Sequence, residues 1–285
     1  MCSIFKYKNC VGRNFDYEVS YHEELRIVNR NQFNNKYKII GMVTGAVKDY
    51  PLFYDGMNEC GLVMGGLAFQ GNAQYNDIDM SKTNVQSYRF ILKVLGNYES
   101  VSEVKELLKD LNITNQAFSD TMPPSDLHWF IADEEESIIV EQTSDGLNWY
   151  DGEVMTNNPP YPKQLEWSEM ELSDVGDNIF SIGLGDYSRG LETLGLDGDY
   201  TSNGRFNRLI YLKEKLEQSK NDFNPVSQAF HLLSSVEQIY GATPVDDKYE
   251  YTIYSVVYDM MDKIVYLKPY DEIGYKINQL EWYND

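Results

Sequence analysis

The chain reads as an α+β protein in which helix layers cover a core of two largely antiparallel sheets. Two observations predict this. Strand-like and helix-like stretches come in blocks, in the order strands, helices, strands, helices, strands. Blocks of that kind belong to segregated helix and sheet layers, not to alternating βαβ units. The strand-like stretches are also short, with Ile, Val and Tyr recurring between turn residues, the pattern of antiparallel sheet. No Pro/Ser-rich linker and no internal repeat divides the chain, so residues 1–285 read as one domain.

Taken in order, residues 3–8 form a first strand and Asn9-Cys10-Val11-Gly12 a turn. Arg13 to Tyr17 alternates polar and aromatic residues and makes a second strand, antiparallel to the first. A tight hairpin there can return Arg13 and Asp16 close to Cys2. Residues 24–30 and 37–47 are further strands, and Asp55-Gly56-Met57-Asn58-Glu59 reads as a turn. Gly61 to Phe69 is apolar and glycine-rich, a buried strand that a neighbour approaches closely. Helices are expected at 84–98 and 101–112. The second opens on a capping-box pattern, Ser100-Val101-Ser102-Glu103, and carries one apolar stripe through Val101, Val104, Leu107, Leu108 and Leu111. Residues 127–132, 137–143, 146–150 and 153–156 form a meander that Asn157-Asn158-Pro159-Pro160 breaks. A polar, glycine-rich excursion over 160–200 follows. Helices at 204–219 and 225–240, strands at 250–258 and 263–268, and a tail ending Glu281-Trp282-Tyr283 complete the chain.

Composition narrows the function. The formal net charge of −21 argues against nucleic acid or an anionic membrane as a partner. No apolar run is long enough to cross a bilayer, and the start lacks a charged segment followed by an apolar one, so neither membrane span nor signal peptide is expected. The three cysteines, Cys2, Cys10 and Cys60, are too few and scattered for a disulfide framework, which suggests a reducing cytoplasm. His22, His128 and His231 do not stand at metal-ligand spacing, and no phosphate loop or dinucleotide fingerprint occurs. No metal and no cofactor are expected. His128, beside Trp129 on an apolar strand, reads as a satisfied core histidine.

The chemistry points to the N-terminus. Cys2 follows the initiator Met1, and a small second residue is what methionine aminopeptidase accepts. The mature chain should then begin at Cys2, whose single residue would carry a thiol and a free α-amine. An α-amine titrates at about 7.7–8.0 and a thiol at about 8.5, so the two can exchange a proton. Cys2 is thus a candidate N-terminal nucleophile.

Five motifs stand in order behind it. They are Gly12-Arg13-Asn14-Phe15-Asp16-Tyr17; Asp55-Gly56-Met57-Asn58-Glu59 with Gly61-Leu62; the strands Leu127 to Asp133 and Ile138 to Glu141; Thr156-Asn157-Asn158-Pro159; and Tyr187-Ser188-Arg189-Gly190 with Gly195-Leu196 and Gly198-Asp199, ending at Gly204-Arg205-Phe206. Over almost its whole length the sequence resembles the choloylglycine hydrolase family, the conjugated bile salt hydrolases and penicillin V acylases within the N-terminal nucleophile hydrolases. The resemblance implies a four-layer αββα sandwich. It implies that Cys2 attacks an amide carbonyl and that its amine shuttles the proton. It further implies that Asp16 holds the amine and thiol, Arg13 stands beside the sulfur, Asn157 donates to the oxyanion, and Arg205 packs against the nucleophile. Position 68 gives its backbone N–H to the oxyanion in the family. Here Ala68 replaces the Asn or Tyr that usually marks the substrate, yet keeps that N–H.

The implied substrate is a small N-acyl amide, first of all an amino-acid-conjugated bile acid. Penicillin V, an N-acyl amino acid or an N-acyl homoserine lactone would keep the chemistry with another acyl group. A non-catalytic binding protein on the same fold is the alternative of a different class. The 160–200 excursion resembles the family's assembly loop, which implies a homotetramer.

Overall fold

In a computed structural model, residues 1–176 and 189–272 are described, together with the backbone of 276–278. Two seven-stranded sheets dominate. The first runs β12 (Val154–Met155), β1 (Cys2–Tyr7), β2 (Cys10–Tyr17), β14 (Lys248–Asp259), β15 (Ile264–Pro269), β16 (Lys276–Asn278), with β13 (Thr243–Val245) also paired to β14; the second runs β11 (Gly146–Asp151), β10 (Ser137–Thr143), β9 (Leu127–Ala132), β6 (Val63–Ala68), β5 (Phe53–Asn58), β4 (Ile39–Val43), β3 (Glu24–Val28). Every ladder in both is antiparallel. The strands that matter for the site are β1, β2, β5, β6, β9, β12 and β14.

Alternation along the strands explains the layers. On β9, Phe130 and Ala132 join a core shared with Ile4 and Val256 of the other sheet, while Trp129 and Ile131 pack with Phe90 and Val94. The latter two belong to α1 (Phe90–Asn97), which with α2 (Val101–Leu108) covers the second sheet. Phe206 and Leu209 of α4 (Ser202–Gln218) and Ala229 and Phe230 of α5 (Pro225–Ser235) cover the first sheet. The order is helix, sheet, sheet, helix, a four-layer αββα sandwich.

Several elements differ from their sequence reading, each for a physical reason. The stretch read as a turn at 55–59 is strand β5 up to Asn58. Its glycine serves close packing. A Cβ on Gly56 would stand 2.8 Å from the Ile40 carbonyl oxygen and 3.2 Å from Leu95 of α1. The turn itself follows, where Asn58 Oδ1 accepts from the N–H groups of Cys60 and Leu62 and Gly61 has φ +93°. The helix expected from 84 begins at Phe90; Thr83–Gln86 is a short strand (β7) paired in parallel with Leu111–Thr114 (β8), a non-local partner that no local pattern announces. The 160–200 excursion starts with a helix, α3 (Tyr161–Leu172), whose polar sequence hides it. The capping of α2 follows half of its pattern: Ser100 Oγ accepts from Glu103 N–H at 3.3 Å, while Glu103 Oε2 reaches past the cap to Glu99 N–H at 2.8 Å. The Glu281-Trp282-Tyr283 tail lies outside the described residues.

Candidate active site

Cys2 opens β1, short of the two residues paired with the edge strand β12, and pairs with Phe15 of β2. Cross-strand partners share a face, and residues two apart on a strand share it too. Cys2, Phe15 and Arg13 therefore point into the gap between the sheets. Arg13 Nη2 lies 3.9 Å from the Cys2 sulfur and donates to the Gly66 carbonyl at 2.8 Å. Gly65 of β6 makes room for this: a Cβ there would stand 2.8 Å from Ile4 and 3.8 Å from the Arg13 stem.

The Arg13 guanidinium is fully buried, which a cation tolerates only with partners. Its Nη1 donates to Asp55 on β5. Tyr254 and Tyr258 of β14 donate to the same carboxylate, Tyr254 at 2.6 Å. Burial works against the charge on Arg13, but Tyr254, Asp55 and Cys2 outweigh it and hold the guanidinium above its ordinary range. Burial likewise pushes both tyrosines up, with Asp55 adding to it, so they remain donors. Phe15 lies under the guanidinium with its ring centre 5.2 Å away and stacks on Tyr254.

The opposite face of the first sheet carries the second half of the site. Asp16 follows Phe15 and so points to the helix layer, away from the thiol. Its carboxylate accepts from Thr252 Oγ1 at 2.6 Å and Gln238 Nε2 at 2.9 Å, and stands 3.9 Å from Arg205. Burial raises the Asp16 carboxyl; Arg205, the N-terminal ammonium, Thr252 and Gln238 oppose this. A bulge in β14 between Thr252 and Tyr254 makes the arrangement possible. The extra residue there, Ile253, leaves Thr252 opposite Asp16 on the helix side and turns Tyr254 toward Asp55 in the gap.

Arg205, on the first turn of α4, is fully buried beneath Cys2. Nη1 donates to the Cys2 carbonyl at 2.5 Å and to Ser3 Oγ at 2.7 Å, and Nη2 to Asn157 Oδ1 at 2.9 Å. Burial lowers its basicity, and Asp16 and Cys2 counter that. Asn157 sits in the loop after β12. Its Oδ1 also accepts from the Cys2 backbone N–H at 2.7 Å, and its Nδ2 donates to the Ala68 carbonyl at 2.8 Å. An amide nitrogen has two hydrogens, so one remains. The Asn157 backbone is pinned by Ser202 Oγ at 2.9 Å and by Gln164 of α3. Ala68 ends β6 opposite Leu127. Phe69 N–H donates to Asp126 C=O, which makes Ala68 and Leu127 a non-hydrogen-bonded pair. The N–H and C=O of Ala68 therefore both point away from β9, to the side where Asn157 lies.

Met1 is present ahead of Cys2 in this chain. Its ammonium donates to the Asp16 carbonyl at 2.9 Å and pairs with Glu250 at 2.5 Å, and the Cys2 side chain beside it is 4% exposed.

The profile of the linear amide C–N hydrolases, choloylglycine hydrolase family, matches residues 3–284. The chain belongs to the choloylglycine hydrolase family. A bile salt hydrolase/transferase from Lactiplantibacillus plantarum is 41% identical over 95% of this chain and 90% of its own length. A second, from Clostridium perfringens, is 35% identical over 91% and 85%. The crystal structure of the C2A mutant of the conjugated bile acid hydrolase from Clostridium perfringens superposes with a TM-score of 0.86 at 32% identity, covering 97% of this chain and 92% of that one. A penicillin V acylase from Agrobacterium tumefaciens, 20% identical with a TM-score of 0.72, shares the fold. The protein is a linear amide C–N hydrolase with the N-terminal nucleophile hydrolase fold.

Within this family site the structure gathers the side chains of Cys2, Arg13, Asn157 and Arg205 with the backbone of Ala68. Asp16 reaches the group through Arg205 and its own carbonyl, its carboxylate lying on the other face. Tyr187 and Ser188 lie outside the described residues. Sequence reasoning placed Asp55 in a motif without a role, and missed Gln164, Ser202, Gln238, Glu250 and Thr252. Two of these carried a signal: Glu250 and Thr252 are polar residues two apart on a strand otherwise rich in Tyr, Ile and Val, the mark of one polar patch on a sheet face. His128 is a satisfied core residue, stacked on Phe69 and donating through Nε2 to the Thr156 carbonyl at 2.9 Å. Among the described residues no cluster offers a metal site, and no helix is long and apolar enough to cross a membrane.

Proposed function

We propose that the chain, once Met1 is removed, hydrolyses the amide bond of amino-acid-conjugated bile acids with Cys2 as nucleophile. One observation carries the reading: the first thiol of the chain lies between a buried cation, Arg13 at 3.9 Å, and an amide donor, Asn157, fixed by Arg205. A thiolate at Cys2 attacks the scissile carbonyl carbon. The oxyanion that forms takes the free hydrogen of Asn157 Nδ2 and the N–H of Ala68, donors fixed in advance of the charge they meet. The Cys2 ammonium gives its proton to the leaving nitrogen as the C–N bond breaks, which leaves a thioester. Water then attacks the thioester, the neutral amine takes its proton, and the thiol is restored. Arg205 holds the Cys2 carbonyl and the Asn157 amide in register for both steps. Asp16 supports Arg205 and adds negative charge on the amine's side of the strand.

The names of the relatives and of the superposed structure support a conjugated bile acid as substrate. A cytoplasmic setting fits three free thiols. A homotetramer is proposed on the family resemblance of the 160–200 segment and on α3, which leaves Met170 67% exposed and Trp167 38% exposed. Sedimentation at micromolar concentration should give four copies. The deciding experiment combines intact mass with hydrolysis of glycine and taurine bile conjugates, penicillin V and N-acyl homoserine lactones. The expected result is a chain starting at Cys2 that turns over the bile conjugates. Full activity in a chain that retains Met1 would overturn the mechanism.

A further inference from the structure

Glu250 on β14 is a carboxylate that none of the steps above uses, and it is only 6% exposed. Its Oε1 accepts from Gln238 Nε2 at 2.9 Å. Its Oε2 meets the Met1 ammonium at 2.5 Å, and the Asp16 carbonyl accepts from the same ammonium at 2.9 Å. Two acceptors from neighbouring strands thus converge on one α-ammonium.

Charge balance around Cys2 shows what happens when Met1 leaves. On the gap side, Arg13 is matched by Asp55. On the helix side, Arg205 faces Asp16 and, beyond contact distance, Glu250. Tyr17, which also feels Glu250, is kept neutral: burial first, then its acidic and phenolic neighbours, push its phenol up to about 12. The Met1 ammonium is in contact with Glu250 and also acts on Asp16. Excising Met1 removes the one cation in contact with Glu250 among the described residues, leaving its buried carboxylate with only the more distant charge of Arg205. The replacement is at hand. The new α-amine lies one residue along, no more than about 3.8 Å from the old one, and hence within roughly 6 Å of Oε2. An opposite charge at that range favours the charged form.

We propose that Glu250 is a positioning residue of the hydrolase, holding the α-amine of processed Cys2 as ammonium beside the thiol. This rests on the reading that processed Cys2 is the nucleophile. A proton passing from the Cys2 thiol to its amine yields thiolate and ammonium with no net gain or loss, and Glu250 stabilises the ammonium side. The same ammonium then supplies the proton the leaving nitrogen needs.

The test is the pH profile of kcat/KM for Glu250→Gln, which keeps the shape and an acceptor for Gln238 but removes the charge. Loss of the ammonium sets the alkaline limb, so that limb should move to lower pH by roughly one unit or more. Glu250→Asp, which keeps the charge and covers poor folding of the first variant, should return most of the shift. A purely structural role would lower the whole profile without moving the limb; an unmoved limb overturns the inference, whatever the amplitude, and leaves the proposed activity standing. Absence of amide hydrolysis by the parent chain would instead overturn the proposed activity. The inference is then read without turnover, from the NMR titration of the 15N-labelled Cys2 amine in processed parent and Glu250→Gln chains. Titration at lower pH in the variant supports it, and equal titration overturns it.

Discussion

At the scale of residues, two arginines are buried to the same depth and are supported differently. Arg13 has a carboxylate at its fork, while Arg205 spends its donors mainly on neutral oxygens and meets Asp16 only at 3.9 Å. A buried ion pair is a weak source of stability, but breaking one side leaves the other charge unpaired in a dry interior. Asp55→Asn should therefore destabilise the fold by about 3 kcal/mol or more. Urea unfolding measures it, and a loss below about 1 kcal/mol would show that the Asp55 charge does not hold Arg13 in place. The double variant Arg13→Met with Asp55→Leu should cost less than the sum of the two single changes, because no charge is left behind. Cys2→Ser is the opposite case. It keeps the volume and the backbone contacts of Cys2, so the thermal midpoint should hold within a few degrees. Turnover should fall nearly to nothing, since a hydroxyl is far less ionised than a thiol at neutral pH. Retained turnover in that variant would remove Cys2 from the chemistry.

At the scale of elements, the hairpin β1–β2 was legible because it is local: alternation and a nearby turn define it. The side to which each residue points followed only once the register was known. Pairing Cys2 with Phe15 sends Arg13 to the thiol and Asp16 to the other face. The bulge in β14 that brings Thr252 to Asp16 and Tyr254 to Asp55 has no sequence mark, since it depends on which strand lies alongside. Motif order could still point to Asn157 and Arg205, because both stand where loops and a helix start deliver them to the end of β1. The pinning of β1 between β2 and β12 has a consequence for processing. In the folded chain Met1 is tied by two contacts, and the following peptide N–H is bonded to Asn157. An aminopeptidase needs that end free and extended. A chain folded with Met1 attached should resist methionine aminopeptidase, and the same chain in urea-unfolded form, diluted briefly into enzyme, should lose it. Intact mass reads the outcome; equal cleavage of both forms would mean that the terminus opens readily in the native state.

At the scale of the whole molecule, the layer order followed from block order and amphipathic stripes, whereas α3 and the β7–β8 ladder did not, because polar surface helices and non-local pairs leave no period to read. The charge of the molecule was legible outright. With 45 acidic and 24 basic residues, the folded chain carries a net −21 that it must hold in a compact volume. The catalytic pairs are internally balanced, so the excess lies on the surface, where exposed ion pairs such as Lys109–Glu106 and Lys36–Glu99 contribute little. Self-repulsion of this kind is stronger in the compact state than in the expanded chain, and salt screens it over a Debye length of about 30 Å at 0.01 M and about 8 Å at 0.15 M. Added sodium chloride should therefore stabilise the protein, opposite to what a fold held by surface ion pairs would show. A gain of about 1–2 kcal/mol corresponds to a rise in Tm of about 2–3 °C for a chain of 285 residues. Calorimetry at pH 7.5 in 0.01 M and 0.15 M salt makes the comparison, and potassium chloride should match sodium chloride, since screening depends on ionic strength and not on the cation. A Tm that falls with salt would mean that attractive surface pairs outweigh the net charge.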